Sequence, residues 1–274
     1  MPEGHTIHAA ALDQMRDLGG EALQISSPQG RAADVAEHLD GRVLRRIDAY
    51  GKHLLYRFAP AGQARVRRAD LLTLHIHLGL FGKFFRHASP AAPPTGQKRL
   101  RMVGERFTVD VSGVTVCDLL PPPVEEKLLA RLGPDPLRSD ADPQAFVAAL
   151  ARRRISIAEA LMDQQVIAGV GNVYRAEALH AERLEPHVPS NELGDERALA
   201  LWNRVAEQLR QGLKDRTIVT LPDAPRTSTA RRKIPRREAK CVYKRDRCYT
   251  CGGPVFQEPL AGRTLWWCPH DQVR

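Results

Sequence analysis

The carboxyl end carries Cys248-x2-Cys251-x16-Cys268-Pro269-His270-Asp271, and no other feature restricts the folding of this chain so sharply. Two thiols three residues apart at a tight turn, with a third across a short hairpin, have the spacing of a structural zinc ribbon. A hairpin of this size has too little core to fold unaided, so bound metal becomes part of its folding free energy. A closed, mostly thiolate ligand set is a scaffold without a reactive water, which disfavours a zinc-dependent nuclease. Two residues compete for the fourth position. Asp271 has the register, three residues after Cys268; His270 has the more common ligand chemistry. Cys117 and Cys241 read as a buried small hydrophobe and an unassigned thiol.

The 274 residues suffice for two domains and a small appendage. Net charge is +9, and the excess is concentrated: residues 216–247 hold eleven Lys or Arg against Asp223, Glu238 and Asp246. Such a run implies a polyanionic partner, or else a solvated linker. No apolar stretch approaches the ~20 residues of a membrane span, and the first 25 residues lack a signal-peptide layout. The expectation is a cytoplasmic, nucleoid-associated protein with no membrane partner.

Three regions separate by pattern. Ile7, Ala10, Ala11, Met15 and Leu18 recur at helical spacing and stop at Gly19-Gly20. Strand-like segments follow at 42–58, broken by a turn at Tyr50-Gly51-Lys52, then at 71–78, 107–111 and 114–119. Leu72, Leu74, Ile76 and Leu78 alternate with Thr73, His75 and His77, the period of a half-buried strand. This first domain, 1–123, is a β-sandwich with a packed helix, ending at Pro121-Pro122-Pro123. Residues 124–220 are helical, with segments at 124–132, 143–153, 157–164, 173–181 and 196–213. Asp142 caps a helix opened by Pro143. A basic linker, 221–238, leads to the zinc hairpin of 239–274. The fold class is α+β.

Two segments carry chemistry. Removing Met1 would leave Pro2 as a secondary-amine terminus with an α-amine pKa of roughly 8, able to form an iminium at an aldehyde-level carbon. Glu3 places a carboxyl group beside it; a Met-Pro start is also an ordinary protected terminus. The stretch 161–174 puts Gly169 and Gly171 between two helices. The free N–H groups of the second helix, with Asn172, could bind a phosphate, although a plain helical hairpin turns on glycine too.

Pro2-Glu3-Gly4, Tyr50-Gly51-Lys52-His53, His77-Leu78-Gly79-Leu80, the turn from Gln164 to Tyr174 and the terminal zinc hairpin occur in one order. That order resembles the formamidopyrimidine-DNA glycosylase and endonuclease VIII family over essentially the full length. Pro-Glu-Gly is most similar to its actinobacterial endonuclease VIII branch. The resemblance implies an amino-terminal β-sandwich, a helix–two-turn–helix domain and a zinc finger, clamping double-stranded DNA that contains a damaged base or abasic site. It implies a monomeric bifunctional DNA glycosylase and abasic-site lyase of base excision repair, acting on oxidised bases, with pyrimidines implied by the branch. Pro2 resembles the nucleophile at C1′, Glu3 the general acid, and Lys52 a grip on a phosphate beside the lesion. His77 matches a position near DNA. Asn172 and Arg263 match backbone contacts, and Leu80 the apolar side chain that fills the gap left by a flipped base. Thr6 stands where relatives commonly carry a second glutamate, and the zinc hairpin lacks a fourth cysteine. The rival reading is a non-catalytic protein that recognises distorted DNA with the same clamp.

Overall fold

The computed structural model describes every residue except Met1, Ala64, Arg68, Ala69, Pro90 and Arg274. The chain divides into two compact units: residues 1–2 with Ile7–Ala130, and Glu3–Thr6 with Arg131–Arg274.

In chain order the first unit contains α1 (Gly4–Leu18, its first turn counted with the second unit), β1 (Gln24–Ser26), α2 (Ala33–Leu39), β2 (Val43–Tyr50) and β3 (His53–Ala59). There follow β4 (Leu72–His77), β5 (Lys83–Ala88), β6 (Leu100–Val103), β7 (Phe107–Ser112), β8 (Val116–Leu119) and α3 (Pro122–Ala130). The strands form two antiparallel four-stranded sheets, ordered β1-β6-β7-β5 and β2-β3-β4-β8. Both sheets contribute to one core, in which Leu54, Tyr56, Phe58, Leu74 and Ile76 meet Leu100, Met102, Val109 and Val111. This is the expected sandwich. β1, β5 and β6 are strands that the pattern did not mark. β1 and β6 are three and four residues long, and β5 is exposed along most of its length, so neither length nor alternation announces them.

β4 departs from the half-buried expectation: Thr73 and His75 are buried along with Leu74 and Ile76. Arg57 and α3 cover that polar side. Arg57 bonds Thr73 and forms a two-pronged pair with Glu125, both contacts at 2.5 Å, and Asp48 closes the network. This ion pair also explains why α3 belongs by contact to the sandwich unit.

The second unit holds α4 (Pro143–Ala151), α5 (Ile157–Ala160), α6 (Asn172–Ala181), α7 (Asp195–Asp215), α8 (Ser228–Arg232) and the hairpin β9 (Phe256–Leu260) with β10 (Arg263–Trp267). Asp142 caps α4 by accepting from the Gln144 amide ahead of a first-turn proline, and Ser156 with Glu159 forms a capping box on α5. α7 buries Leu201, Trp202, Val205 and Leu209 at helical spacing against the other helices. No helix among the described residues is long and apolar enough to cross a membrane.

A buried carboxylate ties the hairpin region to α6. Glu177, 1% exposed, accepts from the amides of Cys241, Val242 and Tyr243 at 2.7–2.9 Å and from the Thr220 hydroxyl at 2.5 Å. Removing it leaves three backbone donors without their acceptor. Glu177→Ala is expected to cost about 3 kcal/mol or more, read as a shifted midpoint in denaturant. A loss well under about 1 kcal/mol would show that water replaces the carboxylate.

Candidate functional site

In the sandwich unit, the expected residues lie on the β2–β3 and β4–β5 turns. Gly51, at φ +56°, turns the chain between Tyr50 and Lys52. Registry then sets His53 opposite His77 and Leu55 opposite His75. His53 Nδ1 lies 2.9 Å from His75 Nε2. Burial, reinforced by the charge of His77, pushes His75 down to about 4, so it is neutral at ordinary pH. The Gly79 amide donates to His77 Nδ1 at 3.2 Å, beside the Thr115 hydroxyl at 3.0 Å. Burial, aided by the Lys52 charge, lowers the His77 pKa. An accepting Nδ1 leaves the ring proton on Nε2, where it can meet an anionic oxygen.

Gly79 cannot be replaced cheaply. It sits at φ +64°, and a Cβ there would stand 2.5 Å from the Thr115 side chain. The turn it makes presents Leu80, 43% exposed, and Phe81, 80% exposed. Leu80 was expected from the sequence. Phe81 was missed, although an aromatic residue between two turn glycines was a readable sign.

In the second unit, Glu3 is fully buried. Its carboxylate accepts from the amides of Gly171 at 3.0 Å, Val173 at 2.9 Å and Tyr174 at 3.4 Å. These are the donors at the start of α6 that the sequence offered to a phosphate. An internal carboxylate fills them instead, since a helix N-terminus takes any nearby anion. The glycines follow from this contact. A Cβ on Gly171 would stand 2.5 Å from Glu3 Cδ. The Gly4 amide donates to the Gly169 carbonyl at 2.8 Å, where a Cβ on Gly4 would come 3.0 Å from Gly169 Cα. His5, next along, is buried, pushed down to about 4 by that burial, and edge-on to Tyr174. Thr6 places its hydroxyl 3.2 Å from His5 Nε2.

Asn172 is also buried. Its amide donates to the Thr264 carbonyl at 2.9 Å, and its oxygen accepts from Arg175, which bonds the same carbonyl at 2.9 Å. Asn172 therefore grips the backbone beside Arg263. Arg263 itself follows a tight turn at Ala261-Gly262, both at positive φ, the conformation that a two-residue hairpin loop requires.

The ligand atoms of Cys248, Cys251, Cys268 and Asp271 lie within 4.8 Å of one another. Cys251 and Cys268 sulfurs are 3.4 Å apart, and Cys248 Sγ is 3.0 Å from an Asp271 oxygen. Tetrahedral zinc with Zn–S near 2.3 Å needs ligands of this kind at separations of this order, so the donor set fits a metal ion. His270 is outside the group; its ring lies against Gly253. Within the basic run, Arg231 bonds the buried Asp215 at 2.6 Å and the Val219 carbonyl, and Arg232 bonds the Asp215 carbonyl. These two pin α8 to the end of α7. Arg216, Arg226, Lys233, Arg236, Arg237, Lys244 and Arg247 are exposed, as is Arg232 despite its bond to Asp215.

The formamidopyrimidine-DNA glycosylase N-terminal domain matches residues 1–118, and the H2TH domain of the same enzymes matches residues 132–223. The chain is 41% identical to endonuclease 8 1 of Mycobacterium tuberculosis over 280 residues, covering all of both chains. The chain belongs to the formamidopyrimidine-DNA glycosylase and endonuclease VIII family. A formamidopyrimidine-DNA glycosylase of Geobacter metallireducens is 29% identical, again over the full length of both. The Lactococcus lactis formamidopyrimidine-DNA glycosylase bound to N7-benzyl-Fapy-dG DNA superposes at TM-score 0.80 with 21% identity, covering 100% of each chain. The same enzyme bound to abasic-site DNA gives 0.77 at 20% identity over 99% of this chain and 100% of that one. This family member is thus a DNA glycosylase of the endonuclease VIII kind with the family fold.

Proposed function

We propose that this glycosylase also cleaves abasic sites, removing oxidised bases, pyrimidines foremost, from duplex DNA as a monomer. The anchoring of Glu3 carries the reading. Three amides hold its carboxylate and Gly4 is clasped to Gly169, so the chain ahead of Glu3 is presented from a rigid mount. A nucleophile gains most from such placement.

Pro2 nitrogen attacks C1′ of the flipped nucleotide and displaces the base. The Glu3 carboxylate takes the proton that the amine sheds and delivers it to the sugar ring oxygen as the C1′–O bond breaks and the iminium forms. The iminium withdraws electrons from the C2′–H bond, and loss of that proton expels the 3′ phosphate. Lys52 and Arg263 grip phosphates, and the Nε2–H of His77 adds a neutral donor. Asn172 acts by holding the backbone next to Arg263. Leu80 and Phe81 enter the gap in the stack and offset part of the few kcal/mol of flipping. Zinc held by Cys248, Cys251, Cys268 and Asp271 would lock the hairpin ends. The exposed charges of the 216–247 run add sequence-independent affinity.

Duplexes each carrying one lesion, incubated with the protein and borohydride, test this reading. Oxidised pyrimidines and abasic sites should yield a covalent adduct that peptide mapping places on Pro2. Tight binding without an adduct would support the non-catalytic alternative, and an adduct on an internal lysine would remove Pro2 from the mechanism. Lys52→Ala should slow single-turnover excision and flatten the salt dependence of binding by about one phosphate contact. Unchanged excision and slope would take Lys52 off the DNA.

A further inference from the structure

His180 lies in the last turn of α6, 68 residues ahead of Cys248 in sequence, yet it is 5% exposed and lies against the cysteine cluster. Its Nε2 is 3.2 Å from Cys248 Sγ and 3.3 Å from an oxygen of Asp271. It is not one of the four gathered ligands, so it stands outside the Cys248–Asp271 edge of the set. We propose that His180 is the positioning residue that allows a carboxylate to occupy a ligand position of this zinc centre, by donating Nε2–H to Asp271 and to the Cys248 sulfur. This rests on the reading of the cluster as a zinc site.

The physical need is specific to this ligand set. A thiolate offers one large donor atom, whereas a carboxylate has two oxygens with about four lone-pair directions. Without a second partner it can rotate between one-oxygen and two-oxygen contacts, or swing out to water. A fixed N–H donor behind it selects one orientation and offsets part of the excess negative charge of three thiolates and a carboxylate around a divalent ion. His180 is suited to the task because a helix mounts it. The same helix packs Ala176 into the small core of Val242, Cys248, Val255, Trp266 and Cys268 and sends Glu177 to the amides of 241–243. The zinc hairpin is thereby completed from α6, and metal retention is coupled to the seating of that helix.

Zinc content and affinity, measured on the full chain by competition with a chromophoric chelator, test the proposal. The wild type should hold one zinc. His180→Ala should weaken retention by about 10–100-fold, and His180→Gln, which keeps an N–H near the Nε2 position, should recover most of the loss. In an Asp271→Cys background, His180→Ala should have a clearly smaller effect, because only the contact with the Cys248 sulfur is then lost and a thiolate needs no such orientation. An equal loss in both backgrounds would assign His180 to packing alone and overturn the proposal. Unchanged affinity in His180→Ala would overturn it as well. Cobalt-substituted protein should keep its visible band positions in His180→Gln; a shift to a different ligand field would make His180 a direct ligand and overturn it. A wild type that takes up no zinc even on titration would sink the zinc reading itself, a result distinct from all of these.

Discussion

A chain purified with Met1 or a tag still ahead of Pro2 is expected to excise no base and form no borohydride adduct, while binding abasic-site DNA nearly as well as the processed form. Acylation turns the Pro2 nitrogen into an amide, whose lone pair is delocalised and cannot attack C1′. The processed amine, with an α-amine pKa of roughly 8, is available in useful amounts near neutral pH. The phosphate contacts proposed for Lys52 and Arg263 would be untouched by this change, so binding and chemistry should separate. Pro2→Ala is a weaker test because it leaves an α-amine in place. Full excision by an amino-terminally extended chain, confirmed intact by mass spectrometry, would remove the terminus from the mechanism.

Glu3→Gln should slow base excision by about 10²–10⁴-fold, the range for losing a positioned acid or base, and should slow elimination at a preformed abasic site much less. The acid matters when the base must leave and the ring must open; a preformed aldehyde has passed that stage. The variant also carries a structural cost, since the amide nitrogen of Gln would face amide donors where Glu3 now accepts from Gly171, Val173 and Tyr174. Gly171→Ala separates the two effects. It keeps the carboxylate but drives it from its cradle, where a Cβ would stand 2.5 Å from Glu3 Cδ. If placement matters, Gly171→Ala loses excision as well. Rapid excision by Glu3→Gln on an intact lesion would exclude Glu3 as the acid.

Local pattern accounts for much of this architecture. Helical spacing from Ile7 to Leu18, the cap at Asp142 and Pro143, and the turn at Tyr50-Gly51-Lys52 are short-range features, and all correspond to elements of the structure. The spacing of Cys248, Cys251 and Cys268, with Asp271 three residues on, already contained the ligand cluster. Motif order sufficed for the family. What local pattern could not convey is that the polar side of β4 is covered. That depends on Arg57 meeting Glu125, 68 residues away.

The sequence by itself determined most element types, the cysteine hairpin that could hold a metal and the family, because each depends on side-chain chemistry and spacing within a few turns of chain. Tertiary structure alone decided what those residues do to one another. Glu3 and the start of α6 were each legible as anion chemistry, but only the fold joins them across 168 residues, and that union fills a candidate phosphate site with an internal carboxylate. Arg231 and Arg232 belong to the basic run, yet both bond Asp215, Arg231 at its carboxylate and Arg232 at its carbonyl. His180 carried no motif and met Asp271 across 91 residues. Hydrogen-bond acceptors and buried charges are satisfied by whichever partner the packing brings within about 3 Å, and sequence distance does not constrain which partner that is.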